Sequence, residues 1–396
     1  MTHAWARVAK NASILVVLKI LVPALSLGLV FAVSHFLGTE GLGRYTLVLA
    51  YFYFFVMVTP LGLDTFLTRE GVREAAALPA LLGNAAGLGV AVSLLAMGIL
   101  LGISGAPGYD AATQSALRLM SLAIVPSTLL TLFEGVFVAR QRFEYIAASS
   151  LLELTIKIGG SIPLLFLGYR VQAVVGMIVA SRVLACGLAW GLLSRVDVSL
   201  QWSFEPSVLR KLLQAAPTFL CISVFAALYW RIDTLMLSVL RDLTDVGYYG
   251  AAYRIMDIAK ILPHSLCRAL YPRIAQSART EPNRLNQLGS LALRYLWVVL
   301  LPLAGVVTIF AEPILVVLYG EAFRPAALLL TILIWTVLPY AWVRYYAYVL
   351  IAADCQRVDL RLNMIMAGVN VVLNWILIPH YGPLGAALAT CVSICL

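Results

Sequence analysis

Charge is scarce in this sequence. Of its 396 residues only 12% are charged and 62% are hydrophobic, and the mean hydropathy is +0.93. Ordinary soluble domains carry about 25% charged residues. The deficit excludes a soluble globular protein and predicts a chain that crosses a membrane many times.

Catalytic and metal-binding motifs are missing as well. The four histidines and six cysteines show no metal-ligand spacing, and no phosphate loop or nucleophile elbow is present. No cysteine falls in a predicted outer loop, so a disulfide framework is not expected. We therefore expect neither a cofactor nor an enzyme. The 28 Lys and Arg outnumber 19 Asp and Glu without forming a basic soluble domain, which argues against nucleic-acid binding.

Long apolar runs fill the chain instead. A membrane-spanning helix needs roughly 20 apolar residues. Twelve candidate spans cover residues 12–37, 45–67, 78–103, 115–138, 146–168, 171–193, 212–240, 246–272, 288–311, 326–352, 360–379 and 383–396. This pattern predicts an all-α polytopic protein. The last segment, at about 1.5 Å per residue, falls short of a ~30 Å hydrocarbon core, so we expect that helix to be truncated.

The distribution of Lys and Arg predicts the orientation, because these residues accumulate in cytoplasmic loops. With the N-terminus in the cytoplasm, the outer loops hold Arg44, Arg170, Arg241 and Arg324. The cytoplasmic side holds Arg7, Lys10, Arg69, Arg73, Arg140, Arg142, Arg195, Arg210, Lys211, Arg273, Arg279, Arg284, Arg357 and Arg361. We therefore place the N-terminus in the cytoplasm.

The chain repeats itself. Thr-Glu-Gly-Leu-Gly-Arg-Tyr at 39–45 and Leu-Thr-Asp-Val-Gly-Tyr-Tyr at 243–249 both lie between apolar spans, and Gly43 matches Gly247 at an offset of 204. Tandem halves of several spans are a transporter layout.

The repeat predicts three parts. They are an N-terminal six-helix lobe at 1–193, a cytoplasmic linker at 194–211 and a C-terminal lobe at 212–396. An even number of spans per half gives the two lobes the same orientation in the membrane.

Two prolines also match between the halves. Pro126 and Pro339 lie at an offset of 213, and each precedes a Gln-Arg pair, at 141–142 and 356–357. A proline frees a carbonyl in a membrane helix and permits a bend. We regard both prolines as hinge candidates, although proline is common in membrane helices for other reasons.

Basic residues inside the spans are the candidate binding residues. A charge at membrane depth costs at least about 2.5–3.5 kcal/mol, so it faces a cavity, a partner or the interface. Lys19, Arg231, Arg254, Lys260 and Arg344 are the candidates for an anionic ligand. Each has a structural alternative, namely snorkelling, an internal ion pair or, for Arg344 beside three tyrosines, an aromatic interface belt.

The eighth span carries the sharpest pattern. At 100° per residue, Arg254, Asp257, Lys260 and His264 fall in one 120° arc with Arg268. Such a face suits the wall of an aqueous cavity, or an internal network in which Asp257 neutralises Arg254. Asp257 and Asp233 are the predicted charge partners of the cations.

A sixth intramembrane base has a plainer explanation. Glu153 lies four residues before Lys157, which is the favoured order for an ion pair within one helix. We therefore expect Glu153 and Lys157 to pair.

Two stretches resemble a known family. Residues 36–45 (Phe-Leu-Gly-Thr-Glu-Gly-Leu-Gly-Arg-Tyr) and Asp233 followed by 245–254 (Asp-Val-Gly-Tyr-Tyr-Gly-Ala-Ala-Tyr-Arg) are similar to bacterial polysaccharide flippases. These are the O-antigen and oligosaccharide translocases of the multidrug/oligosaccharidyl-lipid/polysaccharide exporter superfamily. The resemblance implies a V-shaped MATE-like fold of two six-helix lobes, in which Lys19 and Arg254 occupy places comparable to cavity cations of related flippases.

The resemblance also implies a function. An undecaprenyl-pyrophosphate-linked oligosaccharide would cross the cytoplasmic (inner) membrane of a bacterium or archaeon by alternating access, for cell-surface polysaccharide biosynthesis. Na⁺ or H⁺ is a candidate coupling ion. The glycan polymerase or ligase machinery is a candidate partner. One alternative is an ion-coupled multidrug or cation antiporter of the same fold. The other is a membrane-embedded glycan polymerase or ligase, which the absence of a large outer loop disfavours.

Overall fold

The structure, a computed structural model, describes residues 2–73, 77–106, 108–200, 205–280, 282–353 and 355–396. Throughout these ranges the regular structure is helical. The α-helices are α1 (Thr2–Val58), α2 (Leu63–Arg73), α3 (Leu78–Ser104), α4 (Ala111–Ser121), α5 (Ile124–Ala139), α6 (Phe143–Phe166), α7 (Val171–Leu193), α8 (Pro206–Leu240), α9 (Leu243–Thr280), α10 (Pro282–Ile309), α11 (Ala311–Tyr319), α12 (Ala327–Leu333), α13 (Val337–Ala352), α14 (Gln356–Tyr381) and α15 (Pro383–Cys395).

Helices occupy every one of the twelve predicted spans. Within the described residues, eight helices are long and apolar enough to cross a membrane by length and composition. The range α1 contains two helices that meet at a kink at Gly38, where φ is 67° and ψ is −164°. The first covers the first predicted span, and the second covers residues 45–58 of the second predicted span. The prediction of an all-α polytopic protein is confirmed.

Three predicted spans are not single helices. The second is broken at 59–62, where Leu61 and Gly62 take positive φ. The fourth is broken at 122–123, and the tenth passes through a short 3₁₀ turn at Ile334–Thr336. Pro126 and Pro339 each occupy the third position of the helix that follows the break, α5 and α13. A proline is tolerated in a first turn because its missing N–H has no intrahelical acceptor there. Their role as hinges stays a prediction.

The described chain divides into two compact units. One comprises Met1–Leu37 with Val48–Ala227, and the other comprises Gly38–Leu47 with Leu228–Leu396. The division falls inside α8. The lobes predicted at 1–193 and 212–396 remain a prediction from the sequence repeat.

The first unit combines an apolar core with buried hydroxyls. Leu63, Leu82 and Phe133 are fully buried between α2, α3 and α5. The Thr128 hydroxyl lies 2.6 Å from the hydroxyl of Thr59, accepts from Ser93 at 2.8 Å and donates to a carbonyl of its own helix. Buried hydroxyls contribute to helix association in lipid because no water competes for them.

The repeated motif becomes a packing contact in the second unit. A Cβ on Gly43 would overlap the Leu243 carbonyl, and one on Gly247 would overlap the Thr39 carbonyl. A Cβ on Gly250 would meet the Thr46 side chain. The matched glycines therefore let segment 38–47 and the start of α9 approach backbone to backbone, as small residues do in membrane helix pairs.

Candidate functional site

Side chains of opposite charge from α8 and α9 form a cluster in the second unit. The Asp257 carboxylate interacts electrostatically with Lys260, Arg231 and Arg254. Its Oδ1 is buried and accepts no hydrogen bond from the described part of the chain. Three cations thus act on one carboxylate. Of the face that the helical pattern predicts, the structure brings Arg254, Asp257 and Lys260 together, while the Arg268 side chain lies outside the described residues. The hydrophobic Ile258 and Leu262 of the same helix are exposed.

Lys260 is the most deeply placed of these cations. Its side chain is only 5% exposed, and its Nζ lies 5.4 Å from the ring centre of Tyr253 and 5.2 Å from that of Tyr340. It also interacts electrostatically with Asp257 and Asp233. A desolvated ammonium between two aromatic faces gains cation–π attraction of up to about 2 kcal/mol. These two rings offset part of the cost of burying the Lys260 ammonium among the helices.

Arg344 lies in a second aromatic setting. Its guanidinium carbon is 5.5 Å from the ring centre of Tyr348, and the group interacts electrostatically with Asp359 and with Tyr340. Tyr340 therefore interacts with two cations: its ring lies beside the Lys260 ammonium, and its hydroxyl interacts electrostatically with Arg344. Lys19, the remaining predicted cation, has a side chain outside the described residues.

The predicted ion pair between Glu153 and Lys157 is wrong. Glu153 pairs with Arg182 of α7 at 3.3 Å, and Lys157 donates to the Ser26 hydroxyl at 3.3 Å. Arg182 also lies over the Phe52 ring at 5.6 Å. The arginine on the neighbouring helix reaches the carboxylate with a planar fork that the lysine lacks, so the pair joins helices instead of stabilising one.

A buried carboxylate forms the second half of the site. Asp233 is 5% exposed; its Oδ1 accepts from Asn374 Nδ2 at 2.6 Å, and its Oδ2 accepts from Thr390 Oγ1 at 2.8 Å and from the Tyr249 hydroxyl at 3.0 Å. Asn374 also donates to Asn370 Oδ1 at 2.9 Å. These residues come from α8, α9, α14 and α15. Within the described residues, all the hydrogen-bond donors to Asp233 are neutral, and Lys260 adds an electrostatic interaction without a hydrogen bond.

One oxygen of this polar cluster, Asn374 Oδ1, receives no hydrogen bond from the described residues. Both amide protons of Asn374 are used, and its fully buried Oδ1 accepts no hydrogen bond from the described residues. An acceptor without a donor beside a carboxylate is costly in lipid. A hard monovalent cation would satisfy both, because such ions take oxygen ligands.

The two halves of the site are connected by aromatic rings. Tyr249, which donates to Asp233, lies with its ring centre 5.5 Å from that of Tyr253. Tyr253 in turn carries Lys260 on its face. Asp233 and Lys260 also interact electrostatically, so a change in the charge at Asp233 acts on the cation cluster directly.

Sequence reasoning found the charges but missed the neutral partners. Asn370, Asn374 and Thr390 were not singled out, although two amides four residues apart in an apolar helix are a usable signal. Asp233 was predicted as a charge partner for the cations, and it interacts with Lys260 while its hydrogen bonds go to neutral groups.

The fold is that of a known class of membrane transporter. An inward-facing multidrug resistance MATE family transporter of the MOP superfamily superposes with a TM-score of 0.72, at 14% identity, over 96% of this chain and 95% of that one. The lipid II flippase MurJ in an inward closed conformation gives a TM-score of 0.68, at 15% identity, over 92% and 85% of the two chains. These likenesses show a MATE-like fold, as predicted.

The family follows from the sequence. The polysaccharide biosynthesis protein family matches residues 8–278, and the lipid II flippase MurJ family matches residues 184–396. The chain belongs to the polysaccharide biosynthesis protein family, and the match over residues 184–396 relates it to flippases. This family and fold are those of transporters, which confirms the expectation that the protein is not an enzyme.

A curated relative points the same way. The probable low-salt glycan biosynthesis flippase Agl15 of Haloferax volcanii is 24% identical over 281 residues, which are 69% of this chain and 57% of the relative. The chain thus spans little more than half the length of the curated relative it matches.

Proposed function

We propose that this protein is a flippase that moves a polyprenyl-pyrophosphate-linked oligosaccharide, such as an undecaprenyl-linked one, across the cytoplasmic membrane by alternating access. The observation that carries the proposal is the excess of positive charge among the interacting residues of the second unit. Arg231, Arg254 and Lys260 outnumber Asp257 in that cluster, and one positive charge remains even when Asp233 is counted.

The sign of this charge separates the proposal from its closest rival. An antiporter of cationic drugs needs carboxylates to attract its substrate, whereas a pyrophosphate needs Arg and Lys, which donate charge-assisted hydrogen bonds. In our proposal Arg254 and Arg231 grip the pyrophosphate by their planar guanidinium groups. Lys260 adds a compact charge from between Tyr253 and Tyr340. Asp257 offsets the repulsion among the three cations until the ligand binds.

Tyrosine rings beside the cations suit the glycan. Tyr253 and Tyr340 flank Lys260, and Tyr348 lies under Arg344. Aromatic side chains offer apolar faces together with a hydrogen-bonding hydroxyl, which is the combination that a sugar ring presents in return. We propose that Arg344 and these rings contact the oligosaccharide next to its phosphates.

The coupling ion is proposed to be sodium, held at Asp233. Support comes from the neutral hydrogen-bond partners of this carboxylate and from the unsatisfied oxygen of Asn374. Binding of a cation there would cancel the negative charge with which Asp233 attracts Lys260. Lys260 would then be freer to hold the substrate anion, which couples the two ligands by electrostatics.

Orientation completes the proposal. The asymmetry of Lys and Arg in the loops supports a cytoplasmic N-terminus. The lipid-linked glycan would then be loaded from the cytoplasmic leaflet and released to the outer leaflet, where a glycan polymerase or ligase would take it.

Translocation in reconstituted vesicles tests this function. Proteoliposomes carry a fluorescent undecaprenyl-pyrophosphate oligosaccharide, and an impermeant reagent reports how much label reaches the outer face. We expect the protein to accelerate exposure, Arg254→Ala to abolish the acceleration and Arg118→Ala to leave it unchanged, because Arg118 is an exposed arginine that bonds to Gln114 and Ser104 in the first unit. Equal activity of the two variants would overturn the assigned role of Arg254.

The rival function has its own result. Sodium-driven efflux of a cationic dye from the same vesicles, lost in Asp257→Asn and kept in Arg254→Ala, would identify an antiporter. In that case the excess of positive charge would not be the substrate site.

A further inference from the structure

A cavity outside the charge cluster lies between α10 and α13 in the second unit. It encloses about 500 Å³. Its wall includes Ser290, Arg294, Trp297, Trp342, Tyr345 and Tyr346. Four aromatic side chains and one arginine thus share a small concave surface.

Close helix packing builds this cavity. A Cβ on Gly289 would come within 2.6 Å of the Tyr345 hydroxyl oxygen, so only glycine lets the tyrosine lie flat against α10. The Trp297 ring centre is 6.4 Å from that of Trp342, which is 6.4 Å from that of Tyr346. The three exposed rings form a continuous aromatic wall.

Arg294 carries a charge that no described residue neutralises. It is exposed, and the described residues offer it neither a hydrogen bond nor an ion pair. Neither α10 nor α13 contains an acidic residue. Arg294 lies seven residues into the apolar span Gln287–Ile309, at about 10 Å along the helix from its start. A guanidinium there is near the headgroup boundary, where a lipid phosphate is available.

An apolar cavity continues from the first one. It encloses about 600 Å³ and shares Trp297, Trp342 and Tyr346 with it. Leu338 and Leu362 line its further part. Asp359, which interacts electrostatically with Arg344, and Asn363 also line this second cavity. The two cavities together present a cationic end with aromatic walls and then a largely apolar surface, in the order in which a phospholipid presents its headgroup and acyl chain.

We infer that this pair of cavities is a binding site for an anionic phospholipid. Its phosphate binds to Arg294 and its headgroup lies against the tryptophans, which favour the membrane interface. One acyl chain occupies the shared part and the Leu338 side. The inference does not depend on the transported substrate, because none of the residues that carry it belongs to the Arg254 cluster.

Native mass spectrometry of the delipidated protein tests the site. Dioleoyl phosphatidylglycerol and dioleoyl phosphatidylcholine are added in a concentration series, and retained lipid is counted. The variant is Arg294→Gln. The matched control is Arg361→Gln, which removes an exposed arginine of α14 that has no hydrogen bond or ion pair within the described residues and does not line either cavity.

We expect the wild type and Arg361→Gln to retain phosphatidylglycerol in preference to phosphatidylcholine. Arg294→Gln should bind phosphatidylglycerol about fivefold more weakly, as the loss of one basic residue near a lipid surface predicts. Equal loss in both variants, or equal retention of the two lipids by the wild type, would overturn the site. So would displacement of phosphatidylglycerol by equimolar undecaprenyl pyrophosphate, because the occupant would then be the carrier lipid.

Discussion

Replacing Asp233 by asparagine changes one oxygen of a buried carboxylate that joins four helices. The carboxylate accepts three hydrogen bonds, one at Oδ1 and two at Oδ2. An asparagine can accept only through its single carbonyl oxygen and brings a donor to the other side. Asn374 already donates there, so two N–H groups would face each other unless the Asn374 amide turns and gives up its bond to Asn370.

At least one hydrogen bond is therefore lost, either between α8 and α14 or, if the Asn374 amide turns, within α14. Such bonds contribute about 0.6–1.7 kcal/mol in membranes, and bonds to a charged acceptor contribute more. Removing a buried charge offsets part of this loss. We expect the free energy of unfolding of Asp233→Asn to fall by about 1–2 kcal/mol. The variant should also lose its response to sodium, which at ten times its dissociation constant would stabilise the wild type by about 1.4 kcal/mol.

Thermal unfolding of the purified protein in detergent measures both effects. Sodium chloride is compared with choline chloride at equal ionic strength. Asp110→Asn is the control, because Asp110 caps α4 through its side chain and asparagine caps a helix equally well. The reasoning is refuted if the wild type shows no sodium-dependent shift, or if Asp233→Asn keeps the same shift and the same melting temperature as Asp110→Asn.

Three further predictions concern packing. Gly247→Leu places a side chain on the Thr39 carbonyl, so the yield of folded protein extracted from membranes should drop sharply. Gly102→Leu is the control, because its side chain would face open space, and this variant should be extracted normally. Equal yields of the two variants would contradict the glycine contact. Arg182→Ala should lower the free energy of unfolding by about 3 kcal/mol, since Glu153 and Glu134 both lose their cation. Glu153→Ala should cost less, because Arg182 keeps Glu134 as a partner. A double-mutant cycle that proves additive would count against the pair. Pro339→Ala permits a hydrogen bond across the break before α13, and the translocation rate should fall while the folded yield stays normal; an unchanged rate would argue against a hinge.

The membrane fold was predictable because it depends on long-range composition. Spans of about 20 apolar residues and a repeat at a constant offset are properties of whole segments. The cationic face of α9 was predictable for a similar reason, since Arg254, Asp257 and Lys260 share a face of one helix by periodicity alone.

Partners on different helices were not predictable in this way. Asp233 binds side chains from α14 and α15 that lie more than 130 residues away in sequence, and no local pattern indicates which helices meet. The Glu153 pairing failed for the same reason, because a good local partner was outcompeted by Arg182 across a helix interface. The matched prolines were recognised, yet their place at the start of new helices depends on helix breaks that hydropathy does not resolve.

The most direct test of the central claim is the choice of lipid in the vesicle assay. The same fluorescent oligosaccharide is attached either to undecaprenyl pyrophosphate or to an uncharged polyprenyl ether, and the rate of exposure at the outer face is measured for each. Our account predicts that the protein accelerates only the pyrophosphate lipid, and that this acceleration requires Arg254 and Lys260. Equal acceleration of the uncharged lipid would show that the cations of α9 do not select the substrate, and would contradict the account.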